Sequence, residues 1–166
     1  MNDPQRLIQV LQLQRHPEGG WFNEAYRAAE TIPHRSLPDR FDGDRAFSTA
    51  IYFLLNRAEF SAFHRLRQDE LWHFYDGASL IIHMIDPDGA YETVTLGRRV
   101  ESGERPLAVV TAGTLFGATV SDPHSYSLSG CTVAPGFDFA DFDMPPREQL
   151  VAAYPRHRGI IERLTR

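Results

Sequence analysis

The chain has 166 residues, a formal charge of −5 and a 42% hydrophobic share, which suits one folded domain with a sizeable core and argues against nonspecific binding to nucleic acid or anionic membrane. All 17 basic residues are arginine, so lysine Schiff-base chemistry, covalent pyridoxal phosphate and a Walker A lysine are excluded. Cys131 is the single cysteine, which removes an internal disulfide, a CxxC redox pair and a cysteine zinc cluster.

Asn2-Asp3-Pro4 opens a helix, with a capping residue followed by proline in the first turn. Leu7, Ile8, Val10 and Leu11 carry it at helical spacing, so Pro4 to Leu13 reads as amphipathic. Met1 to Leu13 lacks the basic-then-apolar layout of a signal peptide, and no apolar run reaches the roughly 18 residues of a membrane span. The expectation is a soluble, cytoplasmic protein with a single domain over residues 1–166. His16-Pro17-Glu18-Gly19-Gly20 reads as the turn into the first strand; its glycines lack the GxGxxG spacing of a phosphate loop. Trp21 to Arg27 alternates large and polar side chains as a strand does. Thr31 to Gly43, with two prolines, reads as an exposed loop.

Short apolar runs then alternate with turn residues: Ser48 to Leu55, Phe60 to Leu66, Glu70 to Tyr75, Leu80 to Ile85 and Tyr91 to Leu96. Asp86-Pro87-Asp88-Gly89 marks a hairpin. Leu107 to Thr111, Thr114 to Val120, Tyr126 to Leu128 and Cys131 to Val133 complete the series. Strands of this length and spacing predict an all-β sandwich or barrel. Met144-Pro145-Pro146 opens a terminal helical segment with Leu150, Val151 and Tyr154 on one face, and a second turn or helix spans Arg158 to Leu164.

Chemistry concentrates between Ser61 and Gly77. Strand alternation puts His64 and Leu66 on one face, Glu70, Trp72 and Phe74 on one face of the next strand, and His73 and Tyr75 on the other. If His64 and Glu70 both face inward, a base and a carboxylate share an apolar pocket, where ionisable groups need a partner or a function. Glu70 would then orient His64 and raise its basicity. Tyr52, Trp72, Phe74 and Phe116 read either as a ligand wall or as core, and His83 is a further inward candidate. Arg27, Arg65 and Arg67 suit a carboxylate or phosphate, or a solvated surface. Cys131 reads as a small buried apolar residue.

The spacing His64-x-Leu66, three residues, Glu70, six residues, Gly77 resembles the first motif of the cupin superfamily, with Leu66 in place of the second histidine. Thr111-Ala112-Gly113-Thr114-Leu115-Phe116 is similar to the second motif, with Phe116 in place of its histidine. Two of four usual metal ligands are therefore replaced. His16 to Phe22, Thr49 to Leu55, Phe63 to Leu66, Asp69 to Tyr75 and Gly130 to Phe139 resemble small single-domain cupins of largely unassigned function. The resemblance implies a jelly-roll β-barrel and a homodimer. Gly20-Trp21-Phe22-Asn23-Glu24 and His64 are distantly similar to sugar-nucleotide 3,5-epimerases, cupins that work without metal. The leading expectation is thus a metal-independent isomerase or epimerase acting on a small polar organic molecule. No cofactor is expected, and any divalent metal falls to His64 and Glu70. The alternatives are a noncatalytic binding or sensor module and a metal-dependent oxygenase or isomerase.

Overall fold

A computed structural model describes residues 3–166, so the capping expectation at Asn2 and the reading that begins at Met1 lie partly outside the described residues. Helix α1 (Pro4–Val10) is capped by Asp3, whose Oδ1 accepts the Gln5 N–H at 3.0 Å. It stops short of Leu13 because Gln12 adopts a left-handed φ of 53°. Its buried Ile8 packs with Leu13 and Leu54.

The strands follow in chain order as β1 (Gln14–Arg15), β2 (Trp21–Arg27), β3 (Thr31–Ile32), β4 (Arg45–Ala46), β5 (Thr49–Leu55), β6 (Phe60–Leu66) and β7 (Asp69–Gly77). They continue as β8 (Leu80–Ile85), β9 (Tyr91–Leu96), β10 (Leu107–Val110), β11 (Leu115–Val120), β12 (Ser127–Ala134) and β13 (Phe142–Asp143), and helices α2 (Arg147–Ala153) and α3 (Arg158–Arg163) close the chain. One sheet runs β1-β2-β5-β12-β7-β10 and the other β13-β6-β11-β8-β9. The two form the jelly-roll sandwich that the resemblance implies.

Alternation decides which side chains enter the space between the sheets. On β5, Phe53 and Leu55 join the main core, while Leu54 faces outward to α1. On β8, Leu80, Ile82 and Met84 point inward, while Ile85 meets the C-terminal helices through Leu150, Ile161 and Leu164. Each fully buried aliphatic side chain contributes about 1.5–3 kcal/mol, so reversing the register of one strand would expose several such groups at once.

Two expectations change. Ser127, Leu128 and Cys131 to Val133 belong to one central strand, β12, because Ser129 and Gly130 continue the ladder, and Tyr126 precedes it. Gly130 is there for space: a Cβ would sit 2.3 Å from the Tyr75 hydroxyl. The segment Thr31 to Gly43 is not a solvated loop throughout. Its Phe41 is buried, and β3 pairs with β4. Arg45, also buried, binds Asp141 through Nε and Nη2, both at 2.7 Å. Gln68 donates to the same carboxylate at 2.6 Å. This buried network holds the aromatic segment from Phe137 to Phe142 against the mouth of the sandwich.

Candidate functional site

Sheet register builds a cavity of about 300 Å³ between the two sheets. Pairing places Glu24, Ile51, Cys131 and Trp72 side by side across four strands. The adjacent row holds Thr49, Val133 and Glu70. Facing them are His64 and Leu66 of β6 and Phe142 of β13. Phe22, Phe53, Phe137 and Phe139 complete an aromatic wall, with Phe137 and Phe139 edge to face at 5.0 Å. The exposed residues Glu24, Arg27, Asp138 and Phe139 mark the mouth.

The turn between β1 and β2 brings two further groups inside. The Glu18 carbonyl accepts the Ala62 N–H at 2.8 Å, which fastens the turn to β6. Gly19 makes that approach possible; at φ 114°, a Cβ there would lie 2.3 Å from the Phe60 carbonyl oxygen. The Glu18 carboxyl then lies between two imidazoles. Its Oε2 is 3.0 Å from His64 Nε2 and 3.3 Å from His16 Nδ1, and its Oε1 accepts the Ser61 hydroxyl at 2.7 Å. All three ionisable side chains are nearly inaccessible to solvent.

His64 Nδ1 lies 2.7 Å from the Ala62 carbonyl, which can only accept, so Nδ1 carries hydrogen. In a neutral ring Nε2 is then a lone pair, and it lies 3.0 Å from a carboxyl oxygen of Glu18. Burial pushes His64 down to about 4 and raises the Glu18 carboxyl above its ordinary range. Both shifts favour Glu18 over His64 as the holder of a proton taken up by this pair. His16, also lowered by burial, accepts the Glu18 backbone N–H at Nδ1, 3.3 Å away, so in its neutral ring the hydrogen is on Nε2. Its Nε2 has no hydrogen-bond partner among the described residues and belongs to a ring that lines the cavity.

On the opposite wall, Glu70 accepts the Trp72 indole N–H at 3.0 Å and the Cys131 thiol. Burial first, then the nearby Glu18 charge, push its carboxyl up to about 8. Cys131 is itself pushed well up by burial, so it is no thiolate nucleophile. At the mouth, Arg27 grips Glu24 with two bonds of 2.8 Å and donates to the Phe137 carbonyl at 3.1 Å.

The family model described as Cupin superfamily (DUF985) matches residues 5–145. The chain is a cupin of this family. It is similar to SO0799 from Shewanella oneidensis, with 39% identity, a TM-score of 0.90 and coverage of 100% of this chain and 99% of that one. A hypothetical protein from Leishmania major gives 34% identity, a TM-score of 0.88 and 99% coverage of both chains. The uncharacterized protein YML079W of Saccharomyces cerevisiae is 30% identical over 147 residues, which is 82% of this chain and 72% of that protein. Bacillus subtilis oxalate decarboxylase, at 14% identity and a TM-score of 0.54 over 90% of this chain and 36% of its own, shares the fold alone.

The cupin metal set does not fit these residues. Leu66 and Phe116 offer no donor atoms at two ligand positions, and both nitrogens of His64 are engaged. Among the described residues, no three His, Cys, Asp or Glu side chains are grouped to hold an ion.

His64, Glu70 and Trp72 all line the same cavity of this cupin. The expected pairing of His64 with Glu70 does not form; Glu18 takes that place, because the turn docks directly on β6. Phe116 stands behind His64, at 4.1 Å between ring centroids, and is core. Phe74 lies further along β7, near Arg98 and away from the cavity. Tyr52 has the wrong parity and packs outside with Tyr75 and the α1 cluster. His83 also faces away: it bonds the Tyr91 hydroxyl at 2.7 Å and the Thr119 hydroxyl at 3.1 Å. Arg65 and Arg67 pair with Asp143 and Asp42 outside the cavity. No helix among the described residues is long and apolar enough to cross a membrane.

Proposed function

We propose that this cupin is a metal-independent isomerase or epimerase that moves a proton beside the carbonyl of a small polar organic molecule. The observation that supports it most is the buried cluster of His16, Glu18 and His64 lining one cavity, with the His16 Nε2–H unpartnered among the described residues. His64, expected from sequence to be the base, has Nδ1 bonded to the Ala62 carbonyl and Nε2 against the Glu18 carboxyl. The base is Glu18, which lines the cavity and is raised by burial. It takes a proton from carbon, and the electron pair moves onto the carbonyl oxygen to give an enolate. The His16 Nε2–H donates to that oxygen and stabilises its charge. The proton held by Glu18 lies beside the His64 Nε2 lone pair, 3.0 Å away. Glu18 returns a proton to the same carbon or, after a hydroxyl proton has moved between the two oxygens of an enediolate, to the neighbouring one. Glu70 holds the substrate from the opposite wall.

Isotope exchange tests this without knowledge of the product. In D2O, a panel of hydroxyaldehydes and hydroxyketones is followed by proton NMR. The wild type washes deuterium into the position beside a carbonyl, and His16→Ala, which removes the donor to the carbonyl oxygen, lowers the rate by about 10²–10³-fold. A ligand that stabilises the protein thermally but exchanges nothing would instead favour a noncatalytic binding module.

The assembly we propose is a cytoplasmic homodimer. An unpaired cysteine suits a reducing compartment. Leu107 and Val109 on edge strand β10 are exposed next to Leu71 of β7, with exposed Tyr75 further along the same face. A second copy would cover this apolar face isologously. Light scattering coupled to size exclusion is expected to give twice the chain mass, and Leu107→Glu/Val109→Glu the chain mass. A monomeric wild type would overturn the assembly.

A further inference from the structure

We propose that the cavity selects a substrate bearing a protonated amine, held between the aromatic wall and the Glu70 carboxyl. The inference rests on the catalytic reading above and adds the charge class of the substrate. Its first support is the balance of charge. Four carboxyl groups line the cavity, those of Glu18, Glu24, Glu70 and Asp138, against one arginine. That arginine, Arg27, is already committed to Glu24 and to the Phe137 carbonyl. An anionic ligand would therefore meet buried carboxyl oxygens with no free cation to offset them.

The second support is the wall. Six aromatic rings enclose the space, and their faces carry negative potential that attracts a desolvated ammonium. The third is the unpartnered Nε2 of His16, on a side chain only 7% exposed, which points to a polar ligand in an otherwise oily space. An amine seated against Glu70 leaves the His16 N–H for the carbonyl oxygen and Glu18 for the reacting carbon. An amino sugar or other amino-substituted hydroxycarbonyl compound has all three features: an ammonium, a carbonyl and a proton on the carbon between them.

Glu70 is faced by the Trp72 indole, the Cys131 thiol and the more distant Glu18 carboxyl. An arriving ammonium ionises it, so binding at neutral pH releases a proton to the buffer.

Calorimetry with three probes of one ring size tests the proposal: 2-amino-2-deoxyglucose, glucose and glucuronate, at pH 7 in phosphate and in Tris. The amine is expected to bind at least tenfold tighter than glucose, with glucuronate weakest. Only the amine should give a heat that depends on the buffer. Glu70→Gln should remove both the preference and the buffer dependence. Equal affinities, tighter binding of the acid or the absence of amine-selective binding overturns the proposal. These outcomes concern binding alone, so they leave the exchange experiment to decide the catalytic reading separately.

Discussion

A Glu18→Gln variant folds with nearly wild-type stability and loses isotope exchange by about 10²–10⁴-fold. The two halves of this result have different causes. Glutamine has the shape of glutamic acid. Its carbonyl oxygen can accept the Ser61 hydroxyl, and its amide can donate to His64 Nε2, which is a lone pair in this structure. Every buried hydrogen bond is thus kept. An amide, however, cannot take a proton from carbon, so the base is lost. Glu18→Ala behaves differently. It leaves the Ser61 hydroxyl and the His64 nitrogen buried without partners, each costing about 1–3 kcal/mol, beside a new void. Urea denaturation of both variants, alongside the exchange assay, separates the roles. A glutamine variant that exchanges at the wild-type rate would reduce Glu18 to a scaffold.

The difference between Glu18 and Glu70 also shows what a sequence reveals and what it hides. His64 and Glu70 sit on long strands with period-two patterning, and motif spacing fixes which way both face. Their common cavity was legible for that reason. Tyr52 and His83 sit on strands just as regular, but no motif set their parity, and both turned outward. His16 and Glu18 lie in a glycine-rich turn, where composition says only that the chain reverses. The signal available there was the spacing itself: a histidine and a carboxylate two residues apart, followed by paired glycines. Its meaning depends on the Ala62 N–H that anchors the turn and on Phe60 lying too close for a side chain at residue 19. Both are contacts across some forty positions of sequence, and local pattern does not encode them. The Phe137–Phe142 wall is held in a similar way, by Arg45 and Gln68 from distant parts of the chain.

Glu70→Gln is expected to make the protein more stable in alkali, with the largest gain near pH 9. The sign follows from where protons are bound. In the unfolded chain this carboxyl titrates near 4.5, and in the fold it is pushed up to about 8. Between those values the native state keeps a proton that the unfolded state has released, so stability falls as pH rises. At 1.36 kcal/mol per pH unit, the full loss is on the order of 5 kcal/mol. His64 acts in the opposite sense. Its ordinary value of 6.5 drops to about 4 in the fold, so between those values the unfolded state binds the extra proton and stability rises with pH. From about 4.5 to 6.5 the Glu70 slope opposes that of His64 and those of His83, which burial also lowers to about 4, and of His16, lowered likewise. Above 6.5 the histidine slopes end and stability declines to about pH 8. Glutamine keeps an oxygen for the Trp72 indole and has no proton to lose. At pH 9 it should therefore exceed the wild type by several kcal/mol, with a residual alkaline slope from Glu18, which burial also raises. Urea midpoints at pH 5, 7 and 9 measure this, and parallel profiles for the two proteins would mean that Glu70 ionises freely in a wet cavity. A carboxyl that lowers stability near neutral pH is a poor choice for a core position, where leucine or glutamine would serve better. Its presence makes sense if something in the cavity needs it, and an ammonium would offset the cost by pairing with the charge that the empty protein resists.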